Sequence, residues 1–208
     1  PEISDSALAS VEISLLTCKP HEEVYSLYGH TAIRIVDTEG GRDMVVNWGV
    51  FDSRKPYFVY HFIMGETDYM MAMVSTEGFL REYYYYGSEV IQQKLNMTQQ
   101  EKRNFLAILD EYSKPENRIY RYNFYYDNCT TRARDVIVKA MEGKVEYLSW
   151  KNKQENETFR DLIHSKNADY PWCRWGNDFL LGLGSDAQMT HAERQFIPEM
   201  LEADFDSA

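Results

Sequence analysis

Cysteine is scarce in this sequence, and its three copies, Cys18, Cys129 and Cys173, lie far apart. With no CxxC pair, a zinc ribbon or a thioredoxin-type motif is excluded, and one disulfide is the most that could form. Basic residues are also short, at 22 Lys and Arg against 33 Asp and Glu, for a net charge of −11. A nucleic-acid partner needs a basic field to meet phosphates, so none is expected, and docking on anionic lipid by charge alone is disfavoured for the same reason. No stretch approaches the roughly 18 consecutive apolar residues of a spanning helix, so no membrane-spanning segment is expected. The sequence opens at Pro1 without a basic and apolar leader. Either a signal segment was removed ahead of it or there never was one.

What is present is a globular composition. The 208 residues are 44% hydrophobic and 14% aromatic, which suits one domain with a real core and is unlike a disordered chain. Tyrosine is abundant at 16; its ring buries while its hydroxyl stays polar, which favours half-wet grooves. We find no internal repeat, low-complexity tract or linker. One α+β domain over residues 1–208 is expected, with 144–208 as a loop-rich extension packed on it.

Along the chain, "VEISLLT" (11–17) reads as a strand. "HTAIRIV" (30–36) and "MVVNWGVF" (44–51) read as two strands of a hairpin around the turn "DTEGGRD". "FVYHFIMG" and "YMMAMV" are apolar segments of either type, and "SEVIQQKLNM" (88–97) reads as a strand. "TQQEKRNFLAILDEYS" reads as a helix, with Thr98 and Glu101 forming a capping box. "RIYRYNFYY" (118–126) reads as a strand with aromatics on both faces. A helix from about Cys129 to Met141 would bury Ala133, Val136, Ile137, Ala140 and Met141, stopping at Gly143. A short helix is expected around "ETFRDLIH".

The chemistry concentrates in "YNFYYDNCTTRARDVI" (122–137). Cys129 has polar neighbours, unlike a core cysteine, and no second Cys or His beside it, unlike a zinc ligand. Asn128 or Asp127 is a natural N-cap, which puts Cys129 in the first turn of its helix. Unpaired N–H groups and the positive dipole end favour a thiolate there, and Arg132 one turn on would add to that. Asn128 and the first-turn amides are candidates for receiving an oxyanion. A first-turn cysteine that is merely tolerated is the equal alternative, so a base is needed to separate the readings.

Among the histidines His30 stands out, placed after a glycine at the mouth of a strand. If the hairpin centres near 39–40, His30 lies opposite Gly49 with Asn47 diagonal to it on the same face. Asn47 could then orient the imidazole. A strand-end histidine satisfied by water is the plainer alternative. His61 reads as a core residue, and His21, His164 and His191 as exposed. Cys18 and Cys173 read as structural. Two ligands do not hold zinc, so neither a metal nor a cofactor is expected.

The blocks "LLTCKPHEEVYSLYGHTAIRI", "NWGVF", "KLNMTQQEK", "FYYDNCTTRARD" and "WGNDFLLGLGSDAQMTHAERQFIPEML" resemble the N-terminal periplasmic domain of the Lnb family. These are lipoprotein N-acyltransferases of Bacteroidetes. The likeness runs from about residue 11 to 203, and "GHTAIRI" and "DNCTTR" are its most specific signatures. The resemblance implies a circularly permuted, papain-like (NlpC/P60-type) fold, with an antiparallel sheet and the cysteine at a helix N-terminus. It implies Cys129 as nucleophile and His30 as base in acyl transfer through a thioester. The donor would be a phospholipid and the acceptor a lipoprotein amine, in the periplasm or cell envelope. Family members continue into membrane-spanning helices, which this sequence does not contain. Tyr28 and Arg132 are expected to help bind substrate, although Tyr122, Tyr125, Tyr126 and Tyr28 can equally serve as core packing. A thiol peptidase or amidase on cell-wall peptide needs the same Cys–His pair and stays open, as does a binding module of the same fold.

Overall fold

The computed structural model describes residues 4–22, 26–51, 56–57, 61, 66–147 and 157–208. The apolar segment 58–65, apart from His61, lies outside the described residues, as does 148–156 of the expected loop-rich stretch.

Six strands form the centre: β1 (Val11–Cys18), β2 (His30–Asp37), β3 (Arg42–Val50), β4 (Asp68–Ser75), β5 (Val90–Lys94) and β6 (Ile119–Arg121). They lie in the order β5-β1-β2-β3-β4-β6, every neighbouring pair antiparallel. A short helix, α1 (Asp5–Ala9), precedes β1, and with helices on both faces of the sheet this is an α+β protein. Strand side chains alternate between faces, so each strand feeds two layers. Ile13, Leu15, Ile33, Val46 and Trp48 face α3 (Gln99–Ser113) and α4 (Cys129–Ala140), meeting Phe105, Leu109, Val136 and Ile137. Leu16, Cys18, Ala32 and Val45 face the other way, against Phe79 and Tyr83 of α2 (Thr76–Tyr86). β1 is buried almost throughout because both of its faces are covered.

The hairpin register follows its turn: Asp37 pairs with Arg42 and Ile33 with Val46. The Thr98–Glu101 capping box starts α3. α4 begins at Cys129 and buries Ala133, Val136, Ile137 and Ala140, while Met141 is only half-buried. One strand is shorter than its pattern suggests. β6 ends at Arg121, because the Asn123 side chain accepts from the Tyr125 and Tyr126 N–H groups at 3.0 and 3.1 Å and turns the chain. This local side-chain bond competes with the ladder, so the aromatics of 122–126 leave the sheet and flank the start of α4.

The helix α2 is not evident from its sequence, since "TEGFLREYYYY" is rich in poor helix formers. Burial of Phe79 and Tyr83, four residues apart, decides it, with Ser75 as N-cap and Gly87 at φ 65° as terminator. Beyond residue 157 lie α5 (Phe159–Lys166), α6 (Pro171–Leu181), a 3-10 turn (Gly182–Asp186), α7 (His191–Arg194) and α8 (Pro198–Phe205). Phe159, Leu162, Ile163, Met189, Phe196 and Ile197 form a third cluster that takes in Tyr28, Phe124 and Tyr125. α8 packs on β1.

Candidate active site

The β2–β3 register, carried three residues beyond Ile33–Val46, sets His30 opposite Gly49. The fit is close: a Cβ on Gly49 would come 2.6 Å from His30 Cε1. Asn47 lies diagonal to His30, and its Oδ1 is 2.9 Å from His30 Nε2. The same oxygen accepts from the Gly49 backbone N–H at 2.7 Å. A backbone N–H can only donate, so the Asn47 oxygen must face it, and His30 Nε2 must therefore donate as well. This fixes the tautomer. Nε2 carries the proton and Nδ1 is left as the acceptor of the ring.

Cys129 is the first residue of α4, capped by Asn128. Burial alone would raise the thiol, but the His30 charge and hydrogen bond, the Thr31 backbone and the Thr130 hydroxyl together lower it to about 7. The Thr130 Oγ1 lies 3.8 Å from the sulfur and 3.1 Å from Thr31 Oγ1, which ties β2 to the start of α4. Burial opposes a charged His30, yet the nearby Cys129 charge, its hydrogen bond and that of Asn47 raise the imidazole above its ordinary value. Each group of this pair favours the ionised form of the other, the condition for a thiolate–imidazolium pair.

Two expected site residues have other jobs in the structure. Asn128 has no donor to spare: its Nδ2 donates to the Phe124 and Phe196 carbonyls at 2.8 and 3.0 Å. Its Oδ1 accepts from the Thr130 and Thr131 N–H groups, both at 2.9 Å, and its own N–H goes to Thr131 Oγ1 at 2.8 Å. Asn128 therefore holds the helix start and cannot receive an oxyanion. The first-turn amide without a partner among the described residues is that of Cys129 itself. Arg132 is also engaged elsewhere. It pairs with Asp127 through two bonds of 2.6 and 2.8 Å and lies 3.8 Å over the Tyr120 ring. It is absent from the cleft lining, and it is not among the main causes of the thiol shift.

Cys129, His30 and Asn47 open onto a cleft of about 640 Å³. Its lining is largely aromatic and apolar, with Phe51, Tyr69, Tyr122, Phe124, Phe196 and Ile197, and includes the polar Lys19, His21, Ser26 and Glu82. Tyr28 lines the cleft with its ring, packed edge-on against Phe124, while its hydroxyl is taken by the side chains of Asn167 and Asn177. The methionines of "YMMAMV" do not line it: Met71 is in the core and Met73 is exposed.

The remaining histidines and cysteines complete the picture. His21 is not free in solvent but stacks on Tyr86, 4.3 Å between ring centres, and lies 3.6 Å from Glu82. His61 is only half-buried and meets Glu66 at 2.9 Å, so it is no core residue. His164 bonds Asp178 at 2.7 Å. Cys18, fully buried at the end of β1, has its thiol raised to about 12 by burial. Among the described residues no cluster of three or more His, Cys, Asp or Glu side chains is placed to hold a metal. No helix there is long and apolar enough to cross a membrane.

Fold and site together define an α+β protein with a thiol and an imidazole facing each other in an aromatic cleft. Residues 3–165 match the family described as the Lnb N-terminal periplasmic domain, and the chain belongs to it. The family is one of periplasmic domains, which assigns the chain to the periplasm or cell envelope. The match ends at residue 165, short of the resemblance read out to about 203. No curated protein and no solved structure matches the chain.

Proposed function

We propose that this chain is a thiol-dependent acyltransferase with a papain-like, circularly permuted arrangement. His30 on a strand precedes Cys129 at a helix start, the order that the permutation requires. The whole chain is read as one domain, because α8 packs on β1 and Phe196 closes the cleft. The single observation carrying the reading is the thiol brought down to about 7 beside an imidazole whose tautomer Asn47 fixes.

In this reading the Cys129 thiolate attacks an ester carbonyl, forming a C–S bond and an oxyanion. As the ester C–O bond breaks, His30 gives its Nδ1 proton to the departing alkoxide. The acyl group then rests as a thioester on Cys129. An incoming amine attacks that carbonyl, His30 takes the amine proton, and the thiolate leaves. A phospholipid donor and a lipoprotein amine acceptor fit this sequence, and the apolar lining residues suit an acyl chain at about 0.8 kcal/mol per buried methylene.

Incubation with a long-chain activated ester or phospholipid vesicles should add one acyl mass to Cys129, read by intact mass spectrometry, and Cys129→Ala should abolish it. The polar lining residues Lys19, His21 and Glu82 favour a second reading as a peptidase or amidase on cell-wall peptide. Peptide cleavage without any acyl adduct would move the assignment there. A binding module of the same fold would show neither.

A further inference from the structure

An oxyanion on an acyl carbon needs preorganised donors, and the first turn of α4 leaves only the Cys129 N–H. Among the tyrosines of the cleft lining and of the core beside it, three have hydrogen-bonded hydroxyls: that of Tyr28 accepts from the Asn167 and Asn177 side chains, which turns it toward them, that of Tyr120 donates to the Trp48 carbonyl at 2.6 Å, and that of Tyr83 bonds Cys18. Tyr69 and Tyr122 differ. Neither hydroxyl has a hydrogen-bond partner among the described residues, neither is sealed from solvent, and both residues line the cleft beside Cys129.

Their geometry is held firmly. The two rings stack with centres 4.2 Å apart and planes 21° from parallel. Phe51 also stacks on Tyr69, with ring centres 5.0 Å apart. Tyr69 is paired with Tyr120 across β4 and β6, and the Tyr122 N–H bonds the Thr67 carbonyl at 3.1 Å. Rings fixed in this way need no reorganisation when charge develops, the condition under which a donor lowers a barrier most.

We propose that the Tyr69–Tyr122 pair supplies the side-chain donor to the acyl oxygen of the bound substrate, completing an oxyanion hole whose other donor is the Cys129 N–H. The inference rests on the acyl-transfer reading. No proton changes owner: the phenol hydrogen-bonds the oxyanion as the C–S bond forms and releases it when the carbonyl reforms. Burial, and then the charge of Cys129, push both phenols above their ordinary values, so both stay protonated donors.

The test compares two reactions of the same thiol in the full chain. Acylation by a long-chain p-nitrophenyl ester passes through an oxyanion; alkylation by iodoacetamide, a displacement at saturated carbon, does not. Tyr69→Phe combined with Tyr122→Phe should slow acylation about 10²–10³-fold and leave Cys129 alkylation within about twofold, with at least one single variant already slow. Acylation at the wild-type rate in the double variant would overturn the assignment. So would an equal fall in both reactions, which would mark the pair as structural. A wild-type protein that alkylates but never acquires acyl mass would overturn the acyl-transfer reading itself, and this assignment with it.

Discussion

At the scale of single residues the site depends on groups that set the state of a neighbour. Cys129, lowered to about 7, is half ionised near neutral pH, where an ordinary thiol with a value near 9 is almost wholly protonated. Iodoacetamide labelling of Cys129 against pH should therefore show a midpoint near 7. In His30→Ala burial would act with less opposition, so the midpoint should move up and labelling at pH 7 should fall by at least about tenfold. A midpoint unchanged by His30→Ala would remove the pairing. Asn128 acts through structure instead. Asn128→Ala would remove a cap and leave two carbonyls, those of half-buried Phe124 and buried Phe196, without this donor, an expected loss of about 2–4 kcal/mol measured by denaturant unfolding. Asn128→Asp would keep the cap acceptors, and should recover only part of that stability because the Phe124 and Phe196 carbonyls still lack donors.

At the scale of elements the β2–β3 hairpin is the positioning device. A one-residue slip would carry His30 to the opposite face, away from Asn47. Gly49 has a specific role because no side chain fits between its backbone and the His30 ring. Gly49→Ala should displace the imidazole, lowering acylation and Cys129 labelling at pH 7 at least about tenfold while melting within a few degrees of wild type. Unchanged labelling would show that the ring has room to move. The outer face of α6 behaves oppositely. Trp172, Trp175 and Phe179 are exposed there, while Asn177 on the same helix bonds Tyr28 at the cleft wall.

At the scale of the whole molecule the cleft is built from distant parts of the chain. Phe196 and Ile197 line it although they lie beyond residue 165, where the family match ends. A chain truncated after residue 165 should lose the acceptor that Phe196 gives Asn128 and uncover Phe124, Tyr125 and Phe159. Such a fragment is expected to lose its cooperative thermal transition, read by circular dichroism. A fragment that melts as the full chain does would make the C-terminal helices a separate unit.

The sequence by itself determined what local rules govern. The alternation of 30–36 and 44–51 with a Gly-rich turn between them set the hairpin, and counting across that turn put Asn47 diagonal to His30. The Thr98–Glu101 box started α3, and an Asn before an amphipathic run put Cys129 in a first turn. Only the tertiary structure decided where long-range partners compete. Asn128 resembles a free amide in sequence, but carbonyls from Phe124 and Phe196 use both its donors. Arg132 resembles a free charge, but Asp127 and the Tyr120 ring hold it. The 118–126 strand gave way to the Asn123 turn, and α2 formed against its own propensity because Phe79 and Tyr83 had a sheet face to cover. Capping, period and turn chemistry act over a few residues and are legible in order. Which polar group is left unsatisfied, and so available for chemistry, depends on what the rest of the chain brings to it.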